Sequence, residues 1–412
     1  MPKIKPFNAL LPNPILAPEV VVHLENLTVE SAKDIKNQSV NSFVHLLIPK
    51  LEHYYLQGSK QELAFKKIAE NLEDFIHQNI LVKDEKPGLY IYQIKHLGLT
   101  QTGIWTATSI DDYLNNTVKK HELTRVERER GLIEYLQQTG IDANPVLITY
   151  PPKTEINQII QTKLNSKPDL SFNYEQEEHQ LWKINDIDEV NKLVKLFNEM
   201  DSAYLADGHH RAAAACTYGI ERRKLNLKHK GTEEYNFFSS VYMSTDQLRI
   251  YEFHRLIKDL GNLSSADFIN ALTYKFEIQE AEIEDLKPKM EHQFGLYLAG
   301  KSYILKTKSG FFNGYNPLGK LDVSILENLV LKPILNIIDA RTDERISFAG
   351  GLTPIDELIK SVDIGNQAAA FFLYPTSIDD LMKVADMGET MPPKSTWFEP
   401  KFLCGLITHL VD

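Results

Sequence analysis

Residues 202–216, Ser-Ala-Tyr-Leu-Ala-Asp-Gly-His-His-Arg-Ala-Ala-Ala-Ala-Cys, constrain the fold more than any other stretch of the chain. Ala203-Tyr204-Leu205 reads as a short apolar strand, and Gly208 as a turn. Ala212 to Ala215 form a run of the strongest helix former, which predicts a helix beginning near His209. Two histidines and Arg211 then fall on the first helical turn, where free backbone N–H groups and the helix dipole favour anions. The arginine fork of Arg211 suits phosphate or carboxylate. Four alanines let the helix pack closely on its neighbour. The alternative is a tight turn stabilised by Asp207, with the histidines and arginine solvated. Adjacent histidines on a helix point about 100° apart, so the pair is no metal motif by itself.

Composition narrows the rest. The chain has 412 residues, with 45 Lys and Arg against 56 Asp and Glu, a formal charge of −11. That balance argues against coating nucleic acid or an anionic membrane, since both need a basic surplus. It leaves room for a local basic pocket holding a small anion. With 19 Phe, 18 Tyr and 3 Trp, there is ample apolar bulk for two or three folded domains. Cys216 and Cys404 are the only cysteines, which excludes a disulfide framework and a Cys/His zinc module. The start lacks the pattern of a signal peptide, and no stretch approaches the ~20 apolar residues of a membrane helix. A cytoplasmic protein is expected.

The periodicities predict α+β architecture. Helices are expected at 61–82, 122–139, 322–337, 354–361 and 377–387, and strands at 88–97, 145–150, 202–208 and 368–375. Residues 235–257 read as a strand pair around Thr245-Asp246-Gln247, and 294–307 as a hairpin around Gly300-Lys301. Ser264 is placed to cap a helix. Prolines at 2, 6, 12, 14 and 18 predict an N-terminal arm running extended over the surface. Two domains are expected, 1–260 carrying the Asp-Gly-His-His-Arg turn and 261–412 carrying Lys394-Ser395-Thr396.

Three further constellations bear chemistry. In Lys120-His121-Glu122-Leu123-Thr124-Arg125, Glu122 is a candidate general base, His121 a proton shuttle and Arg125 a phosphate contact. The competing reading is a solvated helix start with a Thr124/Glu127 capping box. Lys394, Ser395, Thr396 and Lys401 surround Trp397 and Phe398 as a polyanion clamp or ring platform, against a C-terminal segment that plugs a core. Arg255 ends a strand and is a candidate phosphate or carboxylate contact. Cys216 and Trp182 read as packing.

Several motifs in order resemble a large bacterial family known as domain-of-unknown-function family 1015. They are KIKPF (3–7), FVHLLIP (43–49), LYIYQ (89–93), KHELTR (120–125), Asn144-Pro145, ADGHHRAAAA (206–215), YEFHR (251–255) and MPPKSTWFEPK (391–401). Where that family often carries Ala-Pro-Pro-Tyr-Asp-Val, this chain has Ala17-Pro18-Glu19-Val20, so no role for that Tyr or Asp carries over. Gly208-x-x-Arg211-x-x-Ala214 is also similar to the phosphate-binding turn of the ParB/sulfiredoxin superfamily, which includes free-serine kinases. That resemblance implies a ParB/sulfiredoxin-like nucleotide-binding core and a phosphotransferase acting on an amino-acid hydroxyl, serine first, with a link to serine metabolism. Gly208 and Arg211 would cradle phosphate, His209 or His210 would assist proton transfer, and Glu122 or Glu19 would activate the hydroxyl. Lys394 and Arg255 would neutralise developing charge. ATP or ADP is the implied cosubstrate, and Mg2+ is implied by the chemistry, with Asp207 as a possible ligand. The alternatives are a nucleotide or phosphometabolite sensor without turnover, and a phosphoserine hydrolase. DNA partition is disfavoured by the charge, and the oligomeric state stays open.

Overall fold

The computed structural model describes residues 1–25, 27–47, 59–96 and 98–412, with 59–61 as backbone alone. Positions 48 and 49 of the FVHLLIP motif, and the end of the 88–97 strand, lie outside the described residues. The fold is α+β, with mixed sheets and twelve α-helices among the described residues.

Two compact units divide the chain: 1–120 with 124–248 and 400–412, and 121–123 with 249–399. In sequence terms the first unit is left at Leu248 and rejoined at Pro400.

The first unit is built on a nine-stranded sheet. Along it the order runs Val118–Lys119, Ala203–Asp207, Val146–Tyr150, Phe237–Ser244, Leu99–Ser109, Leu89–His96, Glu177–Ile184 and Leu170–Tyr174, and Ile4–Lys5 pairs beside Leu99–Ser109. Val146–Tyr150 runs parallel to Phe237–Ser244 and antiparallel to Ala203–Asp207. Both faces of the middle strands are covered, which is why Val146–Tyr150 is buried at every position instead of alternating. Trp105, wholly buried, donates its indole N–H to Ser239 Oγ at 2.7 Å, so the ring's polar edge is satisfied inside the core.

The second unit carries a six-stranded antiparallel sheet in the order Phe276–Glu280, Lys301–Thr307, Gln293–Leu298, Ala369–Phe372, Phe253–Ile257 and Ile346–Gly350. The expected hairpin is present, turning at Ala299-Gly300. Ser264 Oγ accepts from the Asp267 N–H at 3.1 Å, as its capping position requires.

Several expectations are corrected. The stretch 235–257 is not a hairpin. Phe237–Ser244 pairs within the large sheet, Arg249–Tyr251 pairs with Trp397–Glu399, and Phe253–Ile257 joins the six-stranded sheet. A polar turn between two strands marks where a chain bends, and non-local hydrogen bonds decide which partner each strand takes. The N-terminal arm is not a surface ribbon. Phe7, Ala9, Leu10 and Val20 are buried, Leu10–Pro12 pairs with Leu81–Lys83, and Ala17–Val20 forms a helical turn with Pro18 at its start. The helix expected from 122 begins at Val126, with no side-chain cap at Arg125, so the Thr124/Glu127 capping box does not form. The helix expected over 322–337 is α-helical over Asp322–Leu326 and continues as a π-helix over Glu327–Leu331.

Candidate functional site

The strand Ala203–Asp207 ends at Gly208, and the helix His209–Leu225 starts directly after it. Gly208 has φ +92°, in the left-handed region. A Cβ there would also lie 2.7 Å from Arg211 Nη2 and 2.8 Å from Nε. Glycine therefore does two jobs: it makes the reversal and leaves space for Arg211 to fold back over the helix start. The alanines behind it, with Cys216, are buried, which seats the helix closely on the first unit's core.

Arg211 Nη2 donates to Asp207 Oδ2 at 3.2 Å. Lys401 Nζ approaches the same oxygen at 3.6 Å and makes a shorter ion pair, 3.0 Å, with Glu25 Oε1. Lys401 reaches the turn because the carboxy-terminal segment threads back into this unit. Cys404 exchanges backbone hydrogen bonds with Val22, Thr408 exchanges them with Leu10, and His409–Leu410 pairs with Ile141–Asp142. Burial alone would raise the Asp207 carboxyl. Lys401, then Arg211 and His209, with the Gly208 N–H, outweigh it and hold the group well below the usual carboxylate range. Two cations thus converge on one carboxylate at a positive helix end.

His209 is buried, whereas His210 is half-buried and its Nδ1 accepts the Arg125 N–H at 3.3 Å. With Nδ1 an acceptor, a neutral His210 ring carries its proton on Nε2. It is thereby set up as a hydrogen-bond donor rather than a base at that nitrogen. Arg125 enters through its backbone.

Asp142 was not singled out by the sequence. It is half-buried, accepts the Ser239 N–H at 2.7 Å, and lines a cavity together with Arg211. Burial pushes its carboxyl up to about 6, against the opposing pull of His409, the Ser239 N–H and Arg211. His409, itself buried, shares a 2.9 Å contact with Glu234, which also pairs with Lys5 at 2.7 Å. The folded value of Asp142 exceeds the ordinary 3.8, so the folded chain holds this proton more tightly than the unfolded chain does. Its contribution to stability is full below about pH 4 and is lost as pH rises through about 6. Asp142→Asn is therefore expected to stabilise the protein at pH 7, by about 1–3 kcal/mol after solvent screening, and to change little at pH 4. Urea unfolding at the two pH values measures this, and equal effects at both would contradict it.

The other candidates have the following surroundings within their own units. Glu19 sits on the turn Ala17–Val20 and accepts from Asn41 Nδ2 at 2.9 Å, not in an extended arm reaching across a cleft. His121 and Glu122 belong to the second unit, where His121 is buried with its ring 6.3 Å from that of Phe398. Arg255 is buried there against the carbonyls of Phe253 and Pro393 and 5.2 Å from the Phe348 ring. Burial lowers its guanidinium to about 9. Its donors hold backbone in place and are not presented to a ligand. Lys394 lies over the Phe253 ring at 5.2 Å, and buried Ser395 donates to the Pro392 carbonyl at 2.6 Å. Thr396 sits beside them, half-buried. Of Lys394, Ser395, Thr396 and Lys401, Lys401 alone belongs to the unit that holds Asp207.

The turn does not offer a magnesium site. Asp207 is answered by Arg211 and Lys401, whereas magnesium takes an oxygen-rich octahedral set. Among the described residues no group of three His, Cys, Asp or Glu side chains could hold a metal ion. Among them, too, no helix is long and apolar enough to cross a membrane.

No curated protein matches this chain. Solved structures similar to it include one described as a free serine kinase in complex with AMP, 16% identical, covering 75% of this chain and 91% of that one with a TM-score of 0.38. Another is a conserved hypothetical protein from Pyrococcus furiosus, at 17% identity, 75% and 95% coverage and a TM-score of 0.37. A third is SbnI with a C-terminal truncation from Staphylococcus aureus, at 12% identity, 73% and 85% coverage and a TM-score of 0.37. Likeness at this level says nothing of ligand or reaction. The family model described as protein of unknown function (DUF1015) matches residues 4–324, and the chain belongs to that family.

Proposed function

We propose that the Asp207–Arg211 turn binds the phosphate of a nucleotide or phosphorylated metabolite, and that the chain is a phosphotransferase acting on a small amino-acid hydroxyl, serine first. The observation that carries this reading is the convergence of Arg211 and Lys401 on Asp207 at the start of the helix His209–Leu225. An incoming phosphate takes over the two cations and gains the helix N–H groups. Asp142, with a carboxyl near 6, is suited to take the hydroxyl proton at neutral pH, because a general base works best when its pKa lies near the working pH. It replaces Glu19 and Glu122 in that role. The phosphoryl group would pass from the nucleotide to the hydroxyl oxygen, with the nucleotide leaving one phosphate shorter.

Phosphorus NMR of the protein with ATP or ADP and L-serine tests this reading. Phosphoserine is expected with the native chain. Lys401→Ala is expected to weaken nucleotide binding about tenfold, as one charge-assisted contact is lost. It should also let the Asp207 carboxyl rise toward its ordinary range. Failure of any phosphoryl group to move would remove the transferase reading.

A sensor without turnover is the second reading. It is favoured by the donor set at the turn, which is cationic and provides no magnesium ligands. It predicts a nucleotide-dependent rise in melting temperature that Arg211→Ala removes, with no product formed. Phosphoserine hydrolysis would use the same groups and would show as inorganic phosphate and serine released when phosphoserine is supplied without nucleotide.

A further inference from the structure

Beneath Arg211 lies a cavity of about 90 Å³. Leu132, Leu136, Val146, Ala215 and Phe238 wall it, and its charged and amide side chains are Asp142, Asn144 and Arg211. One water needs roughly 10–15 Å³ measured this way, and a cavity of about 150 Å³ accepts benzene. The space is therefore too apolar to be a water site and too small for a ring. It matches an aliphatic group of a few carbons. Tyr135 also borders it, but its hydroxyl is used on the Leu46 carbonyl at 2.6 Å. Arg211 is partly buried: Nη2 is used on Asp207, and Nε is packed over Gly208 and closed off from the cavity, so a ligand oxygen would meet the guanidinium at its tip.

We infer that this cavity is a subsite for an α-substituted aliphatic acid of three to five carbons, with its carboxylate on Arg211 and its α-hydroxyl or α-ammonium on Asp142. A plain fatty acid fits less well, since Asp142 lines the same space and offers a carboxylate to a donor. The inference rests on the reading of Arg211 as an anion site, and it names the ligand class for that reading, with the three carbons of serine as its lower limit.

Calorimetric or ligand-detected NMR titration of the full chain tests it with L-2-aminobutyrate, 2-hydroxybutyrate, butyrate, glycine and glycolate, run beside inorganic phosphate. Each four-carbon α-substituted acid is expected to bind about tenfold tighter than its two-carbon counterpart, from two buried methylenes. Butyrate is expected to bind more weakly than either four-carbon partner. The stronger of the aminobutyrate and hydroxybutyrate arms identifies the donor as ammonium or hydroxyl. Asp142→Asn should erase the preference over butyrate while keeping the dependence on length. Absence of length dependence, or a preference untouched by Asp142→Asn, overturns the inference. Phosphate binding lost in Arg211→Ala, with no acid bound, leaves the phosphate reading standing and removes this one. Acids bound without phosphate do the reverse.

Discussion

Arg211→Ala is expected to weaken the binding of inorganic phosphate or a nucleotide by on the order of 100-fold or more, while the protein stays folded. The two halves of that expectation have separate causes. A ligand anion held by the arginine fork at a helix start loses a charge-assisted pair worth roughly 2–5 kcal/mol. The pair that Arg211 makes within the free protein, with the partly exposed Asp207, contributes little to folding, because water screens it. Asp207 also keeps Lys401 when the arginine is gone. Arg211→Lys should fall between, retaining charge without the fork, with a loss of roughly tenfold. Titration calorimetry on the three proteins reads the series. Equal affinities across it would remove the anion site altogether.

Gly219→Ala is expected to destabilise the protein by about 2 kcal/mol, against the sign that helix propensity gives. Gly219 lies within the helix His209–Leu225, where alanine is preferred over glycine by about 1 kcal/mol. Its missing Cβ, however, would lie 2.4 Å from the Tyr235 carbonyl oxygen and 2.5 Å from Ile110 Cδ1. The isoleucine tip can swing away. The carbonyl belongs to the turn Glu234–Asn236, whose Asn236 side chain is held by Arg223 Nε at 2.6 Å, and it can move only by shifting backbone. Overpacking of this kind costs about 1–3 kcal/mol and more where backbone must give. Urea unfolding decides it. A gain near 1 kcal/mol would mean that the helix stands farther from its neighbour.

What the sequence revealed follows distance along the chain. The Asp207–Arg211 turn was legible because strand, glycine, charged cluster and alanine run are contiguous, and each residue's role there is local. Lys401 drew notice as one of several cations near Trp397. Its convergence on Asp207 depends on the segment 400–412 pairing with Val22, Leu10 and Asp142, which no periodicity announces. Asp142 carried no signal at all. An aspartate before Ala-Asn-Pro looks like a turn residue, and only burial beside Ser239 and Arg211 raises its carboxyl. Arg255 shows the opposite failure: an arginine on a strand invites a ligand in sequence, and burial against carbonyls takes its donors away. The N-terminal arm is hidden from sequence for a related reason: proline spacing speaks of backbone extension and is silent on whether Phe7 and Leu10 are buried.

The return of the chain at Pro400 has a consequence for the order in which the protein is made. In sequence, Lys401 follows Arg211 by 190 positions. At roughly 5–20 residues per second, translation needs about 10–40 s to pass from one to the other. For that interval the nascent chain holds Asp207 and Arg211 without their second cation, and Asp142 without the strand that brings His409. The arrangement around Asp207 and Asp142 is therefore a late product of synthesis, completed only once the segment 400–412 has been made and has paired, and not by the folding of the turn alone.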